Sequence, residues 1–219
     1  MNPEDALALR PIAQVARLKI TLDYIKPVIT RRIEVALTST LYTLHEAIQA
    51  VMLFENYHLF QFEVGPRGQE TLYGIPDPHN TDPSEFMEVI DAKHATLGEL
   101  IDADTKKFTY TYDFGDDWRH TVLIEEVTPL VPTLAYPRFI AGVHRAPPED
   151  VGGEPGFENF LIVMADPKHP EHNEIKSWYG GNFDPTDISE TKILARMAKL
   201  TKRKPPRKRA AAKSKHQIN

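Results

Sequence analysis

Residues 112–120, "YDFGDDWRH", crowd three aspartates, a glycine, three large aromatics, an arginine and a histidine into nine positions. Asp113, Asp116 and Asp117 offer the oxygen ligands that a hard cation such as Mg²⁺ or Mn²⁺ takes, although their spacing is not that of an EF-hand loop. The reading that needs least is a tight turn: Gly115 with Asp116 and Asp117 accepts unusual backbone angles, aspartates bond neighbouring amides, and Asp113 meets Arg119 or His120 across the strands as an internal ion pair. A second cluster, "HRAPPEDVGG" at 144–153, stiffens the chain with Pro147 and Pro148 and projects Glu149 and Asp150. Gly152 and Gly153 then permit a sharp reversal or a close approach to a ligand. Here too a rigid turn entering the next helix is the simpler reading, with an acidic residue near that helix's positive end. In a third cluster, "DPKHPEHNE", His169 and His172 lie three apart, but Pro170 disfavours a regular helix, so a surface loop with uncoordinated histidines is expected.

The candidate ligand-binding residues are therefore Asp113, Asp116, Asp117, Trp118, His120, Glu149 and Asp150. No catalytic residue is assigned, and neither a metal nor a cofactor can be named. No P-loop, dinucleotide fingerprint or nucleophile elbow is present.

The elements that must position these residues follow from periodicity. Residues 15–24 alternate Ala16, Leu18, Ile20 and Leu22 with polar residues, and Ile29, Ile33, Val35 and Leu37 do the same after Pro27, predicting two antiparallel strands. Thr43 with Glu46 is a capping-box signature for a helix over about 43–54, followed by a strand in "YHLFQFEV". The opening is thus β-β-α-β. A surface loop is expected over 75–84, then a short helix at "TLGELI". Phe108, Tyr110, Tyr112 and Phe114 alternate with Lys107, Thr109, Thr111 and Asp113, and Trp118–Val127 is again rich in strand formers, so the aspartate motif sits at the tip of an aromatic hairpin. Residues 128–156 read as a long irregular stretch. Three helices follow, around Phe157–Met164, in "EIKSWYGG" and around Ile193–Leu200, with Trp178 and Phe183 expected in the core. Strands early and helices late predict an α+β fold with a mostly antiparallel sheet and helices packed in the C-terminal part.

The 219 residues, 41% of them hydrophobic, suffice for a sizeable core, and the absence of cysteine excludes disulfides and thiolate sites. No signal peptide or membrane span is legible, which predicts a cytoplasmic protein with no membrane partner. The net charge of −5 hides a division: the chain after residue 201 holds 8 basic residues and no acidic ones, leaving 18 basic against 31 acidic in the body. An N-terminal extension at 1–14, one domain at 15–200 and a disordered basic tail at 201–219 are expected. Lys202, Arg203, Lys204, Arg207, Lys208 and Arg209 are candidates for nonspecific phosphate contact, with no aromatics among them to stack on bases.

Taken together, "LKITLDYIKPVITRRIEV", "YTYDFGDDWRHTVLIEE", "HRAPPEDVGGEPGFENFL" and "DPKHPEHNEIKSWYGGNFDP" resemble the plasmid pRiA4b ORF-3-like family over about residues 15–200. The resemblance implies a compact α+β domain, a largely bacterial, cytoplasmic distribution and links to plasmids and mobile elements. It carries no catalytic residue over. Relatives are often labelled transposon resolvase-like, and some carry a separate DNA-binding domain. Many of them have cysteines near the positions held here by Phe139, Ala146 and Val151, so any chemistry of this chain must use oxygen or imidazole ligands. A recombinase is disfavoured: the first serine, Ser39, lies in a turn rather than among arginines near the N-terminus, and "TYTYDF" reads as a strand.

Three functions fit these residues. The favoured one is a non-catalytic accessory or regulatory module of mobile elements, touching a protein partner through its body and nucleic acid through its tail. The others are a metal-dependent phosphoester hydrolase using Asp113, Asp116, Asp117, Glu149 and Asp150, and a small-ligand or peptide-binding domain. Convergence of the hairpin tip with the "PPEDVGG" loop separates them.

Overall fold

A computed structural model describes residues 12–76 and 88–202. Most of the expected 75–84 loop and the tail beyond Lys202 lie outside the described residues. Eight strands form a single sheet: β1 (Gln14–Leu22), β2 (Ile29–Ala36), β3 (Phe60–Val64), β4 (Thr71–Gly74), β5 (Val89–Asp91), β6 (Lys107–Tyr112), β7 (Trp118–Pro129) and β8 (Arg138–Val143). Their spatial order is β5-β4-β3-β6-β7-β1-β2-β8, antiparallel throughout except for the β4–β5 pair. The described helices are α1 (Leu41–Met52), α2 (Leu97–Asp102), α3 (Gly153–Ala165), α4 (His172–Tyr179) and α5 (Glu190–Thr201). The expected α+β class and the opening β-β-α-β order hold, and no described helix is long and apolar enough to cross a membrane.

The alternation in the sequence sorts the sheet into two faces. Leu18, Ile20, Leu22, Ile33, Val35, Phe60, Phe62, Phe108 and Tyr110 are buried in one core with Leu44, Ile48 and Val51 of α1. On the opposite face a charge ladder crosses four strands. Glu126 of β7, Arg17 of β1, Glu34 of β2 and Arg138 of β8 are register partners in turn, with ion-pair distances of 3.0, 2.9 and 2.8 Å. Opposite charges side by side on adjacent strands hold the register of an apolar sheet.

Local signals moved by a few residues. Thr40, not Thr43, caps α1, accepting the Thr43 amide hydrogen at 3.1 Å. The complete capping box belongs to α2, where Thr96 and Glu99 satisfy each other's backbone. The stretch 128–156 is not irregular throughout: β8 runs inside it as an edge strand on β2. Its pattern escaped detection because β8 alternates only between half-exposed and exposed residues.

One buried charge joins these parts. Arg31 stands in β2 at a position of apolar parity and is 1% exposed. Its Nε donates to the Val51 carbonyl near the end of α1 (2.8 Å), and its Nη1 to the carbonyls of Thr30 (2.8 Å), Val143 (3.0 Å) and His144 (2.9 Å). Burial pushes its pKa down to about 10. Gly142 leaves the room: a Cβ there would come within 2.8 Å of the arginine side chain. Replacing Arg31 by Met is expected to cost roughly 2–4 kcal/mol, because carbonyls lose a charged donor without regaining water. Urea unfolding measures this, and an unchanged midpoint would show that the carbonyls find other partners.

Candidate functional site

The hairpin tip and the "PPEDVGG" loop meet. β6 ends at Tyr112, and the backbone turns left-handed at Asp113 (φ 56°) and again at Asp117 (φ 52°), closed by an Asp117 N–H to Asp113 carbonyl bond of 2.7 Å. Of the loop residues expected to take unusual angles, Asp117 does and Gly115 and Asp116 do not, while Asp113 is the second left-handed residue; Asp is among the residues that tolerate this region best. The reversal takes Asp113 off the polar face of the strand. Its Oδ1 accepts the Gly115 amide at 2.9 Å, which aims Oδ2 at His58.

His58 was not among the candidates. It lies at the entry to β3, and the β3–β6 register, with Phe60 opposite Tyr112, sets it beside the hairpin tip. Its Nε2 is 2.9 Å from Asp150 Oδ1, 3.5 Å from Asp113 Oδ2 and 3.6 Å from Glu149 Oε1. One ligand atom each from His58, Asp113 and Asp150 lie within 4.8 Å of one another. The only signal for His58 in the sequence is its parity with Phe60 and Phe62, which says which face it joins but not what it meets.

The carboxylates have different degrees of freedom. Glu149 is fixed at both oxygens: Tyr112 donates its hydroxyl to Oε1 at 2.6 Å, and the Glu55 amide donates to Oε2 at 2.7 Å. Burial first, and then this carboxylate, raise the Tyr112 pKa. Asp150, left-handed at φ 56°, is largely exposed. Asp116 bridges the two segments instead of joining His58, accepting the Gly152 amide at the start of α3 at 3.2 Å. The approach is so close that a Cβ on Gly153 (φ 67°) would lie 2.8 Å from the Asp116 carbonyl oxygen. Asp117 turns to solvent and pairs with Arg119 at 3.3 Å, so the hairpin's ion pair uses Asp117 rather than Asp113.

Trp118 and His120, the remaining candidates, belong to the core. Trp118 is buried, and His120 bonds the Tyr110 carbonyl through Nδ1, its pKa pushed down to about 4 by burial. His172 is also buried, against the Val163 carbonyl at 2.9 Å, rather than on a surface loop. Trp178 is the opposite case: expected inside, it is half exposed beside the carboxylates.

Beneath the site a buried polar chain steadies the segment that carries His58. Gln49 Nε2 donates to the Tyr110 hydroxyl (3.0 Å), which lies 2.8 Å from His45 Nδ1, and His45 Nε2 lies 2.8 Å from Asn56 Oδ1. His45 stacks on Phe60 at 3.6 Å, and burial pushes its pKa down to about 4. A neutral His45 accepts from Tyr110 and donates to Asn56, so the chain is satisfied in one sense.

An α+β sheet protein presenting one imidazole among three carboxylates at a loop-to-loop junction is the class these observations define. The chain belongs to the plasmid pRiA4b ORF-3-like protein family, whose model matches residues 14–192. It is 36% identical over 202 residues to the uncharacterized protein y4hQ of Sinorhizobium fredii (strain NBRC 101917 / NGR234), covering 88% of this chain and 99% of that protein. Among solved structures it is similar to the protein of unknown function MM3350 from Methanosarcina mazei Go1, with a TM-score of 0.71 and 38% identity over 82% of this chain and 98% of the other.

Burial alone would lower the His58 pKa, but the hydrogen bond to Asp150 and the charges of Asp113, Asp150 and Glu149 outweigh it and raise the value above 6.5. A raised folded value means that this histidine stabilises the protein below about pH 6.5 and loses its contribution as pH rises through the folded value. His45 and His120, with lowered values, act in the other window, costing stability as pH falls below 6.5. The midpoint of thermal unfolding should therefore fall on the alkaline side of pH 6.5, and His58→Gln should flatten that limb alone.

Proposed function

We propose that the protein is a divalent-metal-dependent phosphoester hydrolase whose metal is held by His58 Nε2, Asp113 Oδ2 and Asp150 Oδ1, with Glu149 completing the anionic shell. The observation that carries this reading is the convergence of Asp113, Glu149 and Asp150, from two separate segments, within 3.6 Å of one imidazole nitrogen. Three carboxylates around one histidine leave uncompensated negative charge that a dication neutralises. The imidazole moves the preference from Mg²⁺ toward Mn²⁺ or Zn²⁺. A proton carried by His58 Nε2 toward Asp150 Oδ1 would have to leave for a metal to be held there. His58, Asp113 and Asp150 would hold the metal through three side-chain atoms, and the ion would supply Lewis acidity toward a water and a phosphoryl oxygen. Backbone strain supports the same reading: Asn56, Asp113 and Asp150, at or next to the ligand set, all have left-handed backbones. The geometry supports this hydrolase over a wholly non-catalytic accessory module, since an accessory role gives no reason for the three carboxylates to converge.

Titration of the metal-free protein with Mn²⁺ or Zn²⁺ tests it. Binding near one equivalent is expected, strengthening as pH rises through the His58 value because the imidazolium must lose its proton. Asp113→Asn and Asp150→Asn should abolish it, and Tyr112→Phe, which frees Glu149, should weaken it about 10–100-fold. Binding that is indifferent to Asp113 and Asp150 would end the proposal.

A second reading concerns the tail. The concentration of 8 basic residues and no acidic ones after residue 201 supports nonspecific nucleic-acid contact through Lys202, which caps α5, and through Arg203, Lys204, Arg207, Lys208 and Arg209, which lie outside the described residues. Removing residues 203–219 should abolish salt-sensitive binding to random-sequence duplex DNA in a filter or anisotropy assay while leaving the thermal unfolding of the body unchanged. Undiminished binding would refute the tail's role.

A further inference from the structure

Beside the carboxylates a cavity of about 380 Å³ opens between the end of α1, the "PPED" loop, α4 and α5. Its volume falls among small-molecule sites, about 300–1,000 Å³. Asp150, a member of the proposed ligand set, lines it, and so does Trp178; the same two residues line a neighbouring hollow of about 270 Å³. Trp178 thus stands at the junction of both hollows. Its ring meets Phe160 edge-on, with centroids 6.1 Å apart, and the indole is 51% exposed, whereas Trp118 is 3% exposed.

The cations lining the cavity differ in how far they are already used. Arg196 is neutralised by Glu55 at 2.6 Å and donates to the Phe54 carbonyl. Arg145 lies over the Phe183 ring at 5.1 Å and the Tyr179 ring at 6.0 Å, acts on Asp184 through space, and among the described residues pairs with Asp187 at a long 3.8 Å. Lys192, in the first turn of α5, has no carboxylate partner among the described residues. Two cations with capacity to spare therefore share one hollow with an exposed indole and a carboxylate of the ligand set.

We infer that this cavity is a nucleotide-binding site, taking a phosphate against Lys192 and Arg145 and a base against Trp178. The inference rests on the hydrolase reading for its purpose: a phosphate held there lies on the Asp150 side of the cluster, where a metal-bound water would work. Indole and cations select for both halves of a nucleotide, because stacking accepts any planar base and the ammonium and guanidinium accept any phosphate. Neither half alone uses the whole cavity.

Isothermal titration of the full chain, first with Mn²⁺ and then with adenosine 5′-monophosphate, adenosine or ribose 5-phosphate, tests this. The monophosphate nucleotide should bind at least about tenfold more tightly than either fragment, the size of effect expected for one base–aromatic contact. Trp178→Ala should remove that advantage and leave ribose 5-phosphate binding unchanged, while Lys192→Ala should weaken both phosphates and leave adenosine unchanged. Mn²⁺ affinity should be the same in both variants, which also reports that they are folded. Equal affinity for nucleotide and ribose 5-phosphate, or no nucleotide binding in protein that binds Mn²⁺, would overturn the nucleotide site and leave the metal reading standing. Nucleotide binding without Mn²⁺ binding would do the reverse.

Discussion

The buried guanidinium of Arg31 is the constraint on which the site's architecture depends. A charge removed from water must be satisfied by its surroundings, and here the partners that hold it are main-chain carbonyls from three places: its own strand β2, the end of α1, and the residues that leave β8. Because carbonyls belong to the backbone, the bonds fix chain paths rather than rotamers. The path fixed after β8 is the one that carries Pro147 to Gly153, and the path fixed after α1 is the one that carries Glu55 to His58. Both halves of the site are thus referred to one point in the sheet.

From that point the remaining contacts are short-range. The Glu55 amide and the Tyr112 hydroxyl grip opposite oxygens of Glu149, so the loop, the α1–β3 connection and the hairpin are tied at one carboxylate. Asp116 ties the hairpin to the start of α3 in a second place, with the Gly152 and Gly153 backbone pressed against it. What is left after these ties is a set of atoms that face one another: Asp113 Oδ2, Asp150 Oδ1 and His58 Nε2. Under the proposed reading, these strongly held segments would present their ligand atoms to one ion.

Much of the fold was legible because burial on one face writes itself as alternation. The strands at 14–22 and 29–36 and the hairpin at 107–129 show it, and the three C-terminal helices show the corresponding helical period. β8 did not, since an edge strand over a partly solvated face has no apolar period to display. Of the proposed site, Asp113, Glu149 and Asp150 were visible as residue types in turn-forming contexts, whereas His58 was not, because nothing local distinguishes an imidazole at a strand's entry from one that faces solvent. Its proposed role depends on β3 pairing with β6 across the 42 residues between them, which is a property of topology. Trp118 and His120 went the other way. They share the motif with the aspartates, but β7 alternates, and their parity points them into the core.

The cluster draws on chain positions far apart: His58 and Asp150 are 92 residues from each other, with Asp113 between. Contacts of such long sequence separation bear the full loop-closure entropy and come together only after the central strands have paired. The constellation is therefore a late arrival in folding, absent from any partly assembled intermediate that lacks β8. An ion that recognises it would consequently sense completion of the whole sheet and draw the chain toward its finished topology by mass action.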